Sequence, residues 1–120
     1  MGPLKGIKVV ELAGIGPAPI VGMMLADLGA EVILVERATE NPNAASDIDP
    51  NKMGDTAFFK RGKKSIALDL KKTESVEAVL QLVDGADVFI EGFRPGVVAR
   101  LGLGPDICLA RNPQLVYGHM

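Results

Sequence analysis

Four groups of residues in this chain have the types and spacing to handle an anionic ligand. The first is Gly14-Ile15-Gly16-Pro17, set between the β-branched run Lys8-Val9-Val10-Glu11-Leu12 and an apolar stretch. Glycines let a backbone approach a ligand closely, and a helix starting there offers free N–H groups to a phosphate. A plain tight turn into a helix is the competing reading. The second is Arg37, which closes the run Glu31-Val32-Ile33-Leu34-Val35-Glu36. The third is Phe58-Phe59-Lys60-Arg61-Gly62-Lys63-Lys64-Ser65, leading into Ile66-Ala67-Leu68-Asp69-Leu70-Lys71-Lys72, with four cations within the five positions 60–64. Such a cluster suits a phosphate-rich nucleotide whose base stacks on an aromatic ring, or is simply a solvated basic loop. The fourth is Glu91-Gly92-Phe93-Arg94-Pro95-Gly96, with Arg100 beyond it, which adds cations to the same rim or is an ordinary Pro-Gly turn.

Other chemistries fit less well. A dinucleotide fingerprint needs G-x-G-x-x-G, but Pro19 occupies the third glycine's place, and Pro17 and Pro19 remove two N–H donors that a pyrophosphate would use. NAD is therefore not expected. Asp47-Ile48-Asp49-Pro50-Asn51 has the opening of a calcium loop, but Lys52 stands where the glycine belongs and Phe58 where the closing glutamate belongs. The sole cysteine, Cys108, and the sole histidine, His119, have no partners at zinc-ligand spacing. No metal is expected; Cys108 reads as a packing residue inside a short helix and His119 as structural.

The elements that must position these groups follow from periodicity. Lys8 to Leu12 and Glu31 to Glu36 read as strands, the second covered on both faces because its apolar run is continuous. Between them, Ile20 to Leu28 is apolar nearly all round, which predicts a helix buried against the sheet and stopped by Gly29 in a left-handed conformation. A polar stretch from Arg37 to Lys63 has no clear period. Ser65 to Leu70 is the third strand. Val76, Val79, Leu80 and Val83 fall at helical spacing behind a Thr73 or Ser75 cap. Ala86 to Phe93 is the fourth strand, Pro95 to Leu101 and Pro105 to Arg111 are short helices, and Leu115 to Met120 begins a fifth strand. Strands alternating with helices predict an α/β fold, a Rossmann-like open parallel sheet with helices on both faces. Ligands of such sheets bind at the carboxyl ends of the strands, where Gly14, Arg37 and the Gly92 turn all fall.

The chain has 120 residues, 48% hydrophobic and 23% charged, which suits one globular domain over residues 1–120. A formal charge of −2 argues against a nucleic-acid surface, so a phosphate site has to be local. One cysteine excludes an internal disulfide and fits a reducing compartment. No apolar run approaches a membrane span and no leader pattern opens the chain, so a cytoplasmic location, or an organelle matrix, is expected. A fifth strand without a helix to cover it reads as a domain truncated after that strand, the N-terminal part of something longer.

Leu4-Lys5-Gly6-Ile7-Lys8-Val9-Val10-Glu11-Leu12, Gly14-Ile15-Gly16-Pro17 and Leu25-Ala26-Asp27-Leu28-Gly29-Ala30-Glu31-Val32 resemble the N-terminus of the family III CoA-transferases. That family includes formyl-CoA transferases, carnitine CoA-transferases and α-methylacyl-CoA racemases. The resemblance continues in order through Val35-Glu36-Arg37, residues 63–71, 86–96 and 112–117; Glu11 to Pro17 and Leu101 to Pro105 are most similar to the racemases. It implies a Rossmann-type domain, an interlocked homodimer and coenzyme A, carried as an acyl-CoA substrate, along the rim. Ile15, Gly16 and Pro17 would approach it. Arg37, Lys63 and Lys64 would meet the adenosine phosphates, and Leu68, Asp69, Leu70 and Lys71 would line the adenine and phosphate site. Gly92, Phe93, Arg94 and Arg100 would lie nearby. The resemblance also puts the catalytic His and Asp beyond Met120, so no catalytic residue is expected in this chain and it should be inactive alone. Epimerisation of 2-methylacyl-CoA thioesters is the leading function implied; CoA transfer between carboxylic acids and a non-catalytic CoA-binding or dimerisation module are the alternatives.

Overall fold

The computed structural model describes residues 2–14, 17–38 and 58–120. Ile15, Gly16 and the Asp47 to Asn51 stretch lie outside them. Five strands, β1 (Lys8–Leu12), β2 (Glu31–Arg37), β3 (Lys63–Leu68), β4 (Val88–Glu91) and β5 (Val116–His119), form one sheet in the order β3-β2-β1-β4-β5. All four pairings are parallel. The chain winds outward from β1 in one direction, then returns to β4 and continues the other way. The carboxyl ends of β1, β2 and β3 therefore share one rim with that of β4.

Helices cover both faces. On one face α1 (Pro17–Asp27) packs Val21, Leu25 and Ala26 against Val9, Val32 and Ile90. On the other, α2 (Thr73–Asp84), α3 (Val97–Leu101) and α4 (Pro105–Arg111) bury Val79, Leu80, Val83, Val98 and Cys108 against Val10, Leu12, Val35 and Phe89. The expected two-sided cover of β2 is present: Val32, Leu34 and Val35 are buried and Ile33 half-buried. Gly29 ends α1 at φ +103°, a region closed to most side chains, and hydrogen bonds from Gly29 N–H to Ala26 and from Ala30 N–H to Leu25 complete the stop.

Several expectations shift. Helix α1 begins at Pro17 and is not buried all round: only Ala18 and Gly22 are buried, while Ile20 and Met24 are 40% and 55% exposed. Small residues let the helix backbone lie close to the sheet, which turns the large side chains outward and to the flanks. Strand β3 runs from Lys63, not Ser65, because its ladder with β2 starts at Lys63 opposite Val32. Neither Thr73 nor Ser75 caps α2; Lys72 takes that position without a side-chain bond. Strand β4 is confined to Val88–Glu91, and α3 starts after Gly96, whose φ of +84° breaks the chain from the Pro95 turn. Among the described residues no helix is long and apolar enough to cross a membrane.

Between β4 and β5 the rings of Phe89 and Tyr117 stack with centroids 5.0 Å apart, and Tyr117 Oη donates to the Leu103 carbonyl at 3.0 Å. Burial raises the Tyr117 hydroxyl well above its ordinary pKa. The fully buried Cys108 packs on the inner side of α4, its thiol donating to the same carbonyl at 3.4 Å, and burial pushes its pKa up to about 11. Phe89→Ala should remove the centre of this cluster and cost about 3–5 kcal/mol in chemical denaturation. The Cys108 thiol should resist alkylation at about pH 8 in the native protein and react freely once denatured, since little thiolate exists at that pKa.

Candidate functional site

The carboxyl rim holds a cleft of about 350 Å³. Its walls come from Ala13 after β1, Val35, Glu36 and Arg37 on β2, Leu68 at the end of β3 and Asp69 to Lys71 after it, Phe93 after β4, and Val97 and Leu101 of α3. Parallel pairing brings these distant segments together by running every strand toward the same edge. Backbone bonds extend the ladder past the strand ends: Ala13 N–H donates to Val35 at 2.9 Å, and Ala38 N–H to Leu68 at 3.1 Å. Asp69 shapes the β3 exit by accepting the Lys71 N–H on its carboxylate at 3.0 Å, an Asx-type turn. Phe93 is held by its N–H, which donates to Glu91 Oε2 at 2.9 Å. Glu91 is fully buried, and its other oxygen pairs with Nδ1 of the half-exposed His119. His119, which read as a lone structural residue, thus has a carboxylate partner on the neighbouring strand.

The cleft is apolar in its depth and cationic at its edge. Burial would raise the Glu36 carboxyl, but hydrogen bonds from Lys60 and Ser65, with the Lys60 charge, outweigh it and hold Glu36 below its ordinary pKa. The Lys60 ammonium lies 2.5 Å from Glu36. The adjacent Arg37 is exposed and makes no ion pair with any described residue. Lys71 is exposed beside it, and Arg100 lines a neighbouring depression that shares Leu70, Lys71 and Leu101 with the cleft. Gly14 borders Phe93, since a Cβ there would stand 3.9 Å from its ring.

Of the residues singled out from sequence, Arg37, Leu68, Asp69, Leu70, Lys71 and Phe93 come together in this cleft. Gly92 instead packs under α1, where a Cβ would lie 3.4 Å from the Ala18 methyl. Arg94 is exposed outside the lining, and Pro17 is the exposed first residue of α1. Lys63 and Lys64 are not brought to the cleft. They start β3, at the end of the strand away from the rim, and each cation of the 60–64 run has a carboxylate partner. Lys60 meets Glu36, Arg61 meets Asp27 at 2.5 Å, Lys63 meets Glu11 at 2.7 Å and Lys64 meets Glu31 at 3.1 Å. The run fastens β3 to α1, β1 and β2.

Glu11 was the residue whose importance sequence reading missed. It sits on the central strand with a fully buried side chain, and burial raises its pKa against the opposing pull of the Lys63 ammonium. An acid inside a β-branched run destined for a central parallel strand is itself the signal: it has to be buried, so a cation has to come to it. The apolar lining residues Val35, Val97 and Leu101 carried no such signal, being indistinguishable from core.

Residues 4–120 match the family model for CoA-transferase family III. An alpha-methylacyl-CoA racemase from Mus musculus is 43% identical over 119 residues, spanning 98% of this chain and 27% of its own length. A succinyl-CoA:mesaconate CoA-transferase from Haloarcula hispanica is 38% identical over 125 residues, spanning 98% of this chain and 31% of its own. The crystal structure of Rv3272 from M. tuberculosis superposes with a TM-score of 0.85 at 39% identity, covering 99% of this chain and 33% of that one. The chain thus spans about a third or less of these relatives. With a five-stranded parallel sheet, a cleft at its carboxyl rim and a match along nearly all its length, the chain belongs to CoA-transferase family III.

Proposed function

We propose that the rim cleft receives the nucleotide end of coenzyme A, and that the chain is the CoA-binding segment of an α-methylacyl-CoA racemase-like enzyme. The observation carrying this reading is the pairing of an apolar cleft with exposed cations at its edge, in a chain of a CoA-using family. Coenzyme A presents a flat base, a 3′-phosphate and a pyrophosphate. Leu68, Leu70 and Phe93 supply apolar surface for the base, while Arg37 offers a planar fork of donors to the 3′-phosphate. Lys71 and Arg100 supply charge for the pyrophosphate, and the family resemblance adds Ile15, Gly16 and Pro17 as candidates to approach it. Glu36 does not compete for Arg37, because Lys60 and Ser65 already occupy its carboxylate. Arg94 and the backbone at Gly92 border the same rim; Lys63 and Lys64, at the end of β3 away from it, serve as fastenings to Glu11 and Glu31 in this reading.

In the whole enzyme the α-proton of a 2-methylacyl-CoA would be removed and returned, and charge developing on the thioester oxygen as an enolate needs N–H donors aimed at it. The family resemblance assigns the acid and base for that step to no residue of this sequence and implies a homodimer as the working form. The alternative is CoA transfer between carboxylic acids, favoured by relatives such as the succinyl-CoA:mesaconate CoA-transferase. Exchange of the α-hydrogen of a 2-methylacyl-CoA in deuterated water, with no carboxylate acceptor present, separates the two.

Titration with acetyl-CoA followed by amide NMR should give saturable shifts at Arg37, Leu68 to Lys71 and Phe93; an unresponsive spectrum would refute the assignment. Loss of a charge-assisted contact worth about 1.5–3 kcal/mol should make Arg37→Ala weaken CoA binding by roughly 10- to 100-fold. Dephospho-CoA should be affected far less, and equal losses for both ligands would remove Arg37 from the 3′-phosphate.

A further inference from the structure

We infer that the buried Glu11–Lys63 pair is a positioning device for the cleft, holding two of its walls in register, and that Lys63 influences the ligand only through this pair. The inference rests on the CoA-binding reading above. The Lys63 ammonium lies 2.7 Å from Glu11 Oε1 and donates to the Pro19 carbonyl at 3.1 Å. The two side chains are 1% and 0% exposed. One charge therefore joins β3, β1 and the first turn of α1, although β2 lies between β1 and β3 in the sheet. Helix α1 makes room for it at Gly22, where any Cβ would fall 1.7 Å from Glu11 Oε1 and 3.0 Å from the ammonium. Gly22 is a poor helix former in mid-helix, so its presence there answers to this space.

Two of the joined elements run directly into the cleft. Strand β1 continues into Ala13, and β3 ends at Leu68 and leads into Asp69 to Lys71. A shift of β3 along β2 would alter the cleft width, and the contact to both β1 and α1 opposes it. Stability alone does not account for the pair, because a buried ion pair can generally be replaced by apolar side chains of similar volume with little loss. An apolar pair supplies no directional contact to the Pro19 carbonyl. Geometry is the property that only the charged pair provides.

The test compares Lys63→Met, the double variant Glu11→Leu/Lys63→Met, and Gly22→Ala in the full chain, by thermal melting and by calorimetric titration with CoA. Lys63→Met leaves the Glu11 carboxylate buried without its partner and should lose both melting temperature and affinity. The double variant should recover melting to within about 4 °C of the wild type yet bind CoA about 10-fold more weakly, because the borders are no longer preorganised. Recovery of both would overturn the inference, since the pair would then matter for stability only. Should the double variant not fold, Gly22→Ala decides: a folded protein with a similar loss of affinity supports positioning, and unchanged affinity overturns it. If the wild type itself fails to bind CoA, the functional reading falls while this inference is still decided by amide shifts in Gly22→Ala. Displacement at Ala13, Ala18 and Leu68 together supports it, and changes confined to the neighbours of Gly22 overturn it.

Discussion

A carboxylate on the central strand of a sheet covered on both faces has no route to water, and much of this structure follows from that constraint at Glu11. The side chain is fully buried under α1 and needs a compensating charge. Lys63 provides it from an edge strand, and doing so fixes where β3 begins. Gly22 has to lack a side chain for the pair to fit, and Pro19 gives its carbonyl to the ammonium. Residues far apart in the chain thereby become mutually dependent, and the glycine inside a helix has a reason beyond flexibility.

The same device appears on the neighbouring strand. Glu91, at the end of β4, is fully buried and divides its oxygens between the Phe93 N–H and the His119 ring. Its effect is local: it bends the chain as it leaves the sheet and turns Phe93 toward the cleft. Adjacent central strands thus carry two buried acids, one beneath α1 and the other at the rim. The cleft keeps an apolar depth, and both carboxylates in its wall are engaged, Glu36 by Lys60 and Ser65 and Asp69 by the Lys71 N–H.

Much of the fold was legible because parallel α/β sheets write local rules into sequence. The β-branched runs at Lys8–Leu12 and Glu31–Arg37, the helical spacing of Val76, Val79, Leu80 and Val83, and the left-handed Gly29 each depend on neighbours in the chain. Their order implies a common rim for Arg37 and the turn carrying Phe93, and the family resemblance adds Leu68 to Lys71, all of which line the cleft. The errors arose where local pattern met packing. Helix α1 looked like a buried apolar cylinder, yet its contact face is made of Ala18 and Gly22, so Ile20 and Met24 face outward. The start of β3 was set by its ladder and its ion pairs, not by the first β-branched residue.

The sequence by itself determined the elements, their alternation and the edge of the sheet where a ligand would lie, because those depend on periodicity and on the direction of parallel strands. It also placed four cations in the 60–64 run, and nothing in their spacing distinguished a phosphate cradle from a fastening. Only the tertiary structure decided that, by bringing Glu36, Asp27, Glu11 and Glu31 to those four positions. Charge is a property of a residue, whereas its availability depends on which opposite charge the fold places within a few ångströms. That partner comes from another strand or helix, so the identity of the free cations is settled when the chain closes on itself.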